Sequence, residues 1–107
     1  EAAQGVKDSN DQFYEETLKG GGGTNDKALL RYFVDNSAGA IDWLDSIGIK
    51  LDKLTISGGM SVKRTHRPHD GSAVGGYLVD GLVKEVKKEN IPLFVNTDVT
   101  NWWFWCK

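Results

Sequence analysis

Five of the seven residues from Lys63 to His69 can carry positive charge: Lys63, Arg64, His66, Arg67 and His69. Gly58 and Gly59 precede them, and Gly71, Gly75 and Gly76 follow at what reads as the start of a helix. Backbone N–H groups at a helix start point outward and favour phosphate or carboxylate, and arginine adds a planar fork that matches either. One reading is therefore an anion site over Lys63–His69. The other is a solvated basic turn that balances nearby acids. Metal chemistry fits poorly, because Pro68 disrupts helical spacing between His66 and His69 and the lone cysteine, Cys106, is remote. Cys106 also has no identifiable base. No carboxylate pair stands out as an acid–base couple, so no catalytic residue and no metal ligand is assigned.

A formal net charge of -2 gives no general attraction to nucleic acid or to an anionic membrane. No apolar run approaches the roughly 20 residues that span a bilayer. With 39% apolar and 26% charged residues, the 107-residue chain reads as one ordinary globular domain with a modest core. The start at Glu1 without methionine, and an end in WWFWCK, suggest a piece of something larger or an altered end.

The elements that must position the cations follow from periodicity. Ser9 with Gln12 three residues on reads as a capping pair opening a first helix, closed by the glycines 20–23, which read as a flexible connector. Thr24 or Asn25 caps a second helix whose apolar line is Leu30, Phe33, Ser37, Ile41, Leu44 and Ile47, with Leu29 and Trp43 widening it and Gly48 as a left-handed end. Residues 49–56 alternate apolar and polar, as a short strand or an extended run would. Asp70 or Ser72 caps a third helix over about 72–89, in which Gly75, Gly76 and Gly81 leave one flank bare. Such glycines imply that another backbone or a ligand comes close. Leu93–Val95 reads as a short buried strand that needs a sheet to join. The fold class is α+β, helix-rich, with three helices and two or three short strands, and its apolar surfaces ask for more partners than the chain supplies.

The ordered series ETLKGG, TNDKALL, SAGAIDWLDSIGI, GGMSVKRTHRP, GSAVGGYLVDGLV and LFVNTDVT resembles the flavoprotein subunit family of fumarate reductases and succinate dehydrogenases, in its soluble flavocytochrome c-like branch. The resemblance implies an internal segment, residues 1–100, of a larger FAD-binding α/β flavoprotein. In that family hydride passes from flavin N5 to a substrate double bond and an arginine donates the proton. It implies that the chain lacks the GxGxxG turn and the catalytic segments, that Val99 lies where backbone meets adenine, and that Gly58 and Gly59 pass near the flavin and substrate pocket. Ser57 stands where methionine is frequent in that branch, beside the substrate. Arg64, His66 and Arg67 would brace the flavin region. The aromatic tail, 101–107, is unlike the family, and two readings stay open for it: an altered end, or a closing strand that caps a sheet edge.

Two functions follow. The first is a segment of an FAD-dependent oxidoreductase that reduces fumarate or a similar unsaturated acid, inactive alone, with the remaining flavoprotein segments as partners. The second is a free-standing, self-associating module that binds an anion through Lys63–His69. Neither involves nucleic acid or a membrane. The location expected is cytoplasmic, or periplasmic or cell-surface if the parent carries a signal outside this segment.

Overall fold

The computed structural model describes residues 5–103. Helix α1 spans Asn10–Gly20, and Ser9, extended, accepts the Gln12 backbone N–H at 3.0 Å as the capping pair predicts. The reciprocal half of the capping box is not made. The Gln12 side chain turns instead to the Ser61 hydroxyl at 2.7 Å, and the Ser9 N–H finds Asp8 Oδ1 at 2.8 Å. The glycine run is not a loose connector. Gly22 N–H donates to Lys19 C=O and Gly23 N–H to Leu18 C=O, with left-handed φ of +63° and +78°, so the run is a hydrogen-bonded helix closure.

Helix α2, Lys27–Ser46, is capped by Asp26, whose carboxylate accepts the Leu29 N–H at 2.9 Å. The caps expected at Thr24 or Asn25 are displaced because both side chains finish the preceding turn: the Thr24 hydroxyl donates to Gly21 C=O and Asn25 Nδ2 to Thr17 C=O. Gly48, at φ +87°, ends the helix as predicted, and Ile49 N–H reaches back to Leu44 C=O. The apolar line is covered only in part. Leu30 and Val34 are buried, whereas Phe33 is 58% exposed with its ring edge-on to Phe13, and Leu29 and Trp43 also face out.

Within the stretch expected as a strand, only β1, Lys53–Thr55, pairs; it meets β2, Thr65–Arg67, antiparallel with Leu54 opposite His66. Ile49 and Leu51 are buried as extended chain outside the ladder. Helix α3, Val74–Lys88, starts later than predicted and has no side-chain cap, because Asp70 spends its carboxylate on the Ser72 N–H, closing the turn before the helix. None of its residues is buried. It touches the rest where Lys50 N–H donates to the Tyr77 hydroxyl, and at Gly81, where a Cβ would come within 2.8 Å of Ile49. The close approach expected of the bare flank is thus made at Gly81, while Gly75 and Gly76 face open space.

Leu93–Val95 forms no strand and is largely exposed, against the expectation of a buried one. A strand needs a partner's backbone, and no described residue supplies it. Among the described residues, the architecture is three helices and one two-stranded ribbon, with a core of Leu30, Val34, Ile49, Leu51 and Leu54. The accessible surface is 8629 Å², against roughly 5,900 Å² for a compact monomer of this mass. The radius of gyration is 16.9 Å, against about 13 Å for a compact domain of this length. Among the described residues, no helix is long and apolar enough to cross a membrane.

Candidate functional site

Two features converge on the segment 57–71. The first is a tight turn at Ser57–Met60, where Met60 N–H donates to Ser57 C=O at 3.2 Å and Gly59 takes φ +80°. Gly58 and Gly59 are exposed, and a Cβ on either would meet nothing within 4 Å. The Ser57 hydroxyl pairs with the Thr65 hydroxyl across the ribbon. The second feature is the extended run Arg64–Arg67, whose alternation sends Arg64 and His66 to one face and Thr65 and Arg67 to the other.

Arg64 is buried, its side chain 5% exposed. Nε donates to Asp8 Oδ2 at 2.6 Å and Nη2 to Asp8 Oδ1 at 2.7 Å, a two-pronged ion pair, while Nη1 bonds Glu16 and lies 3.1 Å from Met60 Sδ. The guanidinium carbon sits 5.1 Å from the Phe13 ring centroid. Burying a guanidinium is unfavourable unless its donors are met, and here two carboxylates and a ring meet them. Asp8 first, then Glu16, hold the arginine above its already high pKa, so it is permanently charged.

The rest of the cationic run is divided. Arg67 reaches the Gly71 carbonyl at 3.4 Å, exposed His69 faces Asp52 at 3.2 Å, and Lys63 lies exposed. The cations therefore do not converge on one point. His69 faces an acid and Arg67 a carbonyl, whereas Arg64 is buried and not solvated as a basic turn would have it. His66 is half-buried; its Nδ1 donates to Arg64 C=O at 2.8 Å, which leaves Nε2 the acceptor of a neutral ring. Burial, opposed by that bond, pushes its pKa below the usual imidazole value. Arg64 and His66 line a groove of about 550 Å³, walled by Phe13, Phe33, Ile41 and Leu51. Val99 lies apart in the extended segment after α3, 72% exposed. No metal-holding cluster of His, Cys, Asp or Glu occurs among the described residues, and Cys106 and the end of the aromatic tail lie outside them.

Asp8 and Glu16 are the site residues that sequence reasoning missed. They lie 56 and 48 positions from Arg64, and nothing local to either announces the pairing.

Glu16 carries the clearest pH dependence. Its bond to Arg64, reinforced by Ser61, lowers its pKa to about 2 from an ordinary 4.5. A depressed carboxyl contributes stability that is complete above the unfolded value and is lost as pH falls through the folded one. Acid unfolding followed by far-UV circular dichroism should thus show stability declining from about pH 4.5 towards 2, with a shallower decline in Glu16→Gln. Identical acid profiles for the two proteins would contradict the assignment.

Residues 1–102 match the family described as FAD binding domain. The chain belongs to this family. Within it, the chain is 53% identical over 96 residues to the NADH:fumarate oxidoreductase of Klebsiella pneumoniae, covering 90% of this chain and 10% of that protein. It is 40% identical over 99 residues to a probable fumarate reductase of Shewanella frigidimarina, covering 92% of this chain and 17% of that one. Among solved structures, it is similar to the open conformation of a flavocytochrome c3 fumarate reductase, with a TM-score of 0.81 and 42% identity, over 85% of this chain and 16% of the other. The chain thus spans between a tenth and about a sixth of the length of these relatives.

A Cβ on Gly58 or Gly59 would meet nothing within 4 Å, and Val99 is 72% exposed, so neither position is closed to a group such as FAD coming from outside the chain. No glycine-rich strand-to-helix turn of the GxGxxG type occurs in the sequence to hold a pyrophosphate.

Proposed function

We propose that this chain forms one wall of the FAD site in a flavoprotein that passes hydride from flavin to fumarate or a similar unsaturated acid, and that alone it holds FAD weakly or not at all. FAD, when bound, supplies the hydride chemistry; the residues here shape its surroundings. Val99 backbone meets the adenine. The Gly58–Gly59 turn approaches the flavin without a side chain in the way, and Ser57 stands next to the substrate. Arg64, with its donors spent on Asp8 and Glu16, braces this turn from behind, and His66 and Arg67 support the strand that leads away from it. The partners are the remaining segments of the flavoprotein. The location proposed is cytoplasmic, or periplasmic or cell-surface where the parent carries a leader outside this segment.

The observation that carries the reading is the surplus of exposed surface in a chain that is 53% identical to a protein named for fumarate reduction. About 2,700 Å² more is exposed than a compact monomer of this size would show. Exposed apolar groups on α2, α3 and the 91–99 segment belong to that surplus.

Titrating the isotope-labelled chain with FAD, and separately with inorganic phosphate, tests both functions. FAD should perturb the Gly58, Gly59 and Val99 amides with low affinity, and phosphate should leave Lys63–His69 unmoved. Phosphate shifts centred on Lys63–His69, with no response to FAD at the other three positions, would establish the free-standing anion module instead.

A further inference from the structure

The Gly58–Gly59 turn has an unusual problem. Two consecutive glycines lose more conformational entropy on ordering than any other pair, and a Cβ on either would meet nothing within 4 Å. One backbone hydrogen bond, Met60 N–H to Ser57 C=O at 3.2 Å, closes the turn itself. Its order must come from its two flanks. On one side the Ser57 hydroxyl pairs with Thr65 across the ribbon. On the other, Ser61 is held from three directions. Its backbone N–H donates to Glu16 Oε2 at 3.3 Å, its hydroxyl bonds Glu16 Oε1, and Gln12 Nε2 donates to that same hydroxyl at 2.7 Å.

We infer that Glu16, with Gln12, is a positioning residue for the Gly58–Gly59 turn, acting from helix α1 through Ser61. Glu16 does not merely neutralise Arg64. Asp8 already takes the two-pronged face of the guanidinium, and Glu16 takes one further donor while its carboxylate also grips the residue that follows Met60. A carboxylate bridging an arginine and a backbone N–H fixes the direction in which the chain leaves the turn. Gln12 and Glu16 are one helical turn apart, on the same face of α1, so both reach Ser61 together. The consequence for a flavin rests on the reading above: the wall that the group would lie against is set by a helix 45 residues earlier in the chain.

Backbone ¹⁵N order parameters test this directly. In the unaltered chain Gly59 and Met60 should lie in the rigid range near ~0.85, and in Glu16→Gln and Ser61→Ala they should fall below ~0.6. The α2 amides around Val34 should stay rigid in all three. A purely structural ion pair would lower stability yet leave the native turn as ordered as before, so unchanged values at Gly59 and Met60 overturn the inference. Equal loss of order across α2 in Ser61→Ala overturns it as well. Ser61→Ala removes no charge and leaves Arg64 paired, so it reports on the turn even if Glu16→Gln folds poorly. The measurement uses no flavin, and its failure is distinct from failure of the FAD titration.

Discussion

Replacing Arg64 by alanine should remove most of the net stability of this chain. The substitution leaves Asp8, whose side chain is 8% exposed, without the fork that neutralises it. Removing one partner of a buried ion pair costs about 3–5 kcal/mol, mostly the penalty of the charge left behind. Domains of ordinary size are stable by only about 5–15 kcal/mol, and a core of five apolar side chains sits at the low end of such a range. Urea unfolding of Arg64→Ala, followed by far-UV circular dichroism, should show a strongly lowered midpoint or no folded baseline. Arg64→Lys should fall between, because one ammonium cannot serve both oxygens of Asp8 and also Glu16 in that geometry. A midpoint for Arg64→Ala equal to that of the unaltered chain would show that the clasp holds nothing together.

The purified chain should also associate, and should not turn over. Its surface exceeds that of a compact monomer by roughly 2,700 Å², within the range that obligate protein interfaces bury. Phe33, Trp43, Phe94 and Trp103 are among the apolar side chains left facing water. Light scattering should give a mass above 11.8 kDa that rises with concentration, and replacing Phe33, Trp43 and Phe94 together by serine should lower it. Supplied with FAD, a reductant and fumarate, the chain should reduce no substrate above background. A concentration-independent monomer that binds FAD stoichiometrically and consumes fumarate would refute both expectations.

Local signals in the sequence were legible wherever one turn of chain decides the outcome. Ser9 and Gly48 cap the helices as their types demand, and the three helices lie close to where periodicity puts them. The errors came where neighbours competed. Thr24 and Asn25 are good capping types, but the closure of α1 uses them first, and Asp26 inherits the role. Leu93–Val95 has strand composition, yet composition cannot provide the second backbone. In the site, the Gly58–Gly59 pair and the cationic run were visible as types and spacing. That Arg64 turns inward was not, because the carboxylates that draw it in lie beyond any window in which pattern is readable.

The distance bridged by that clasp has a bearing on the order of assembly. The α1–α2 hairpin and the β1–β2 ribbon each close over short spans, whereas Asp8 meets Arg64 across 56 positions. Short spans close first, since the entropy of closing a loop rises with its length. Two small units would therefore take shape separately as the polypeptide is made, and the arginine would join them last. Until then the ends of the eventual bridge are ordinary hydrated charges, which keep the unfinished pieces soluble while they wait.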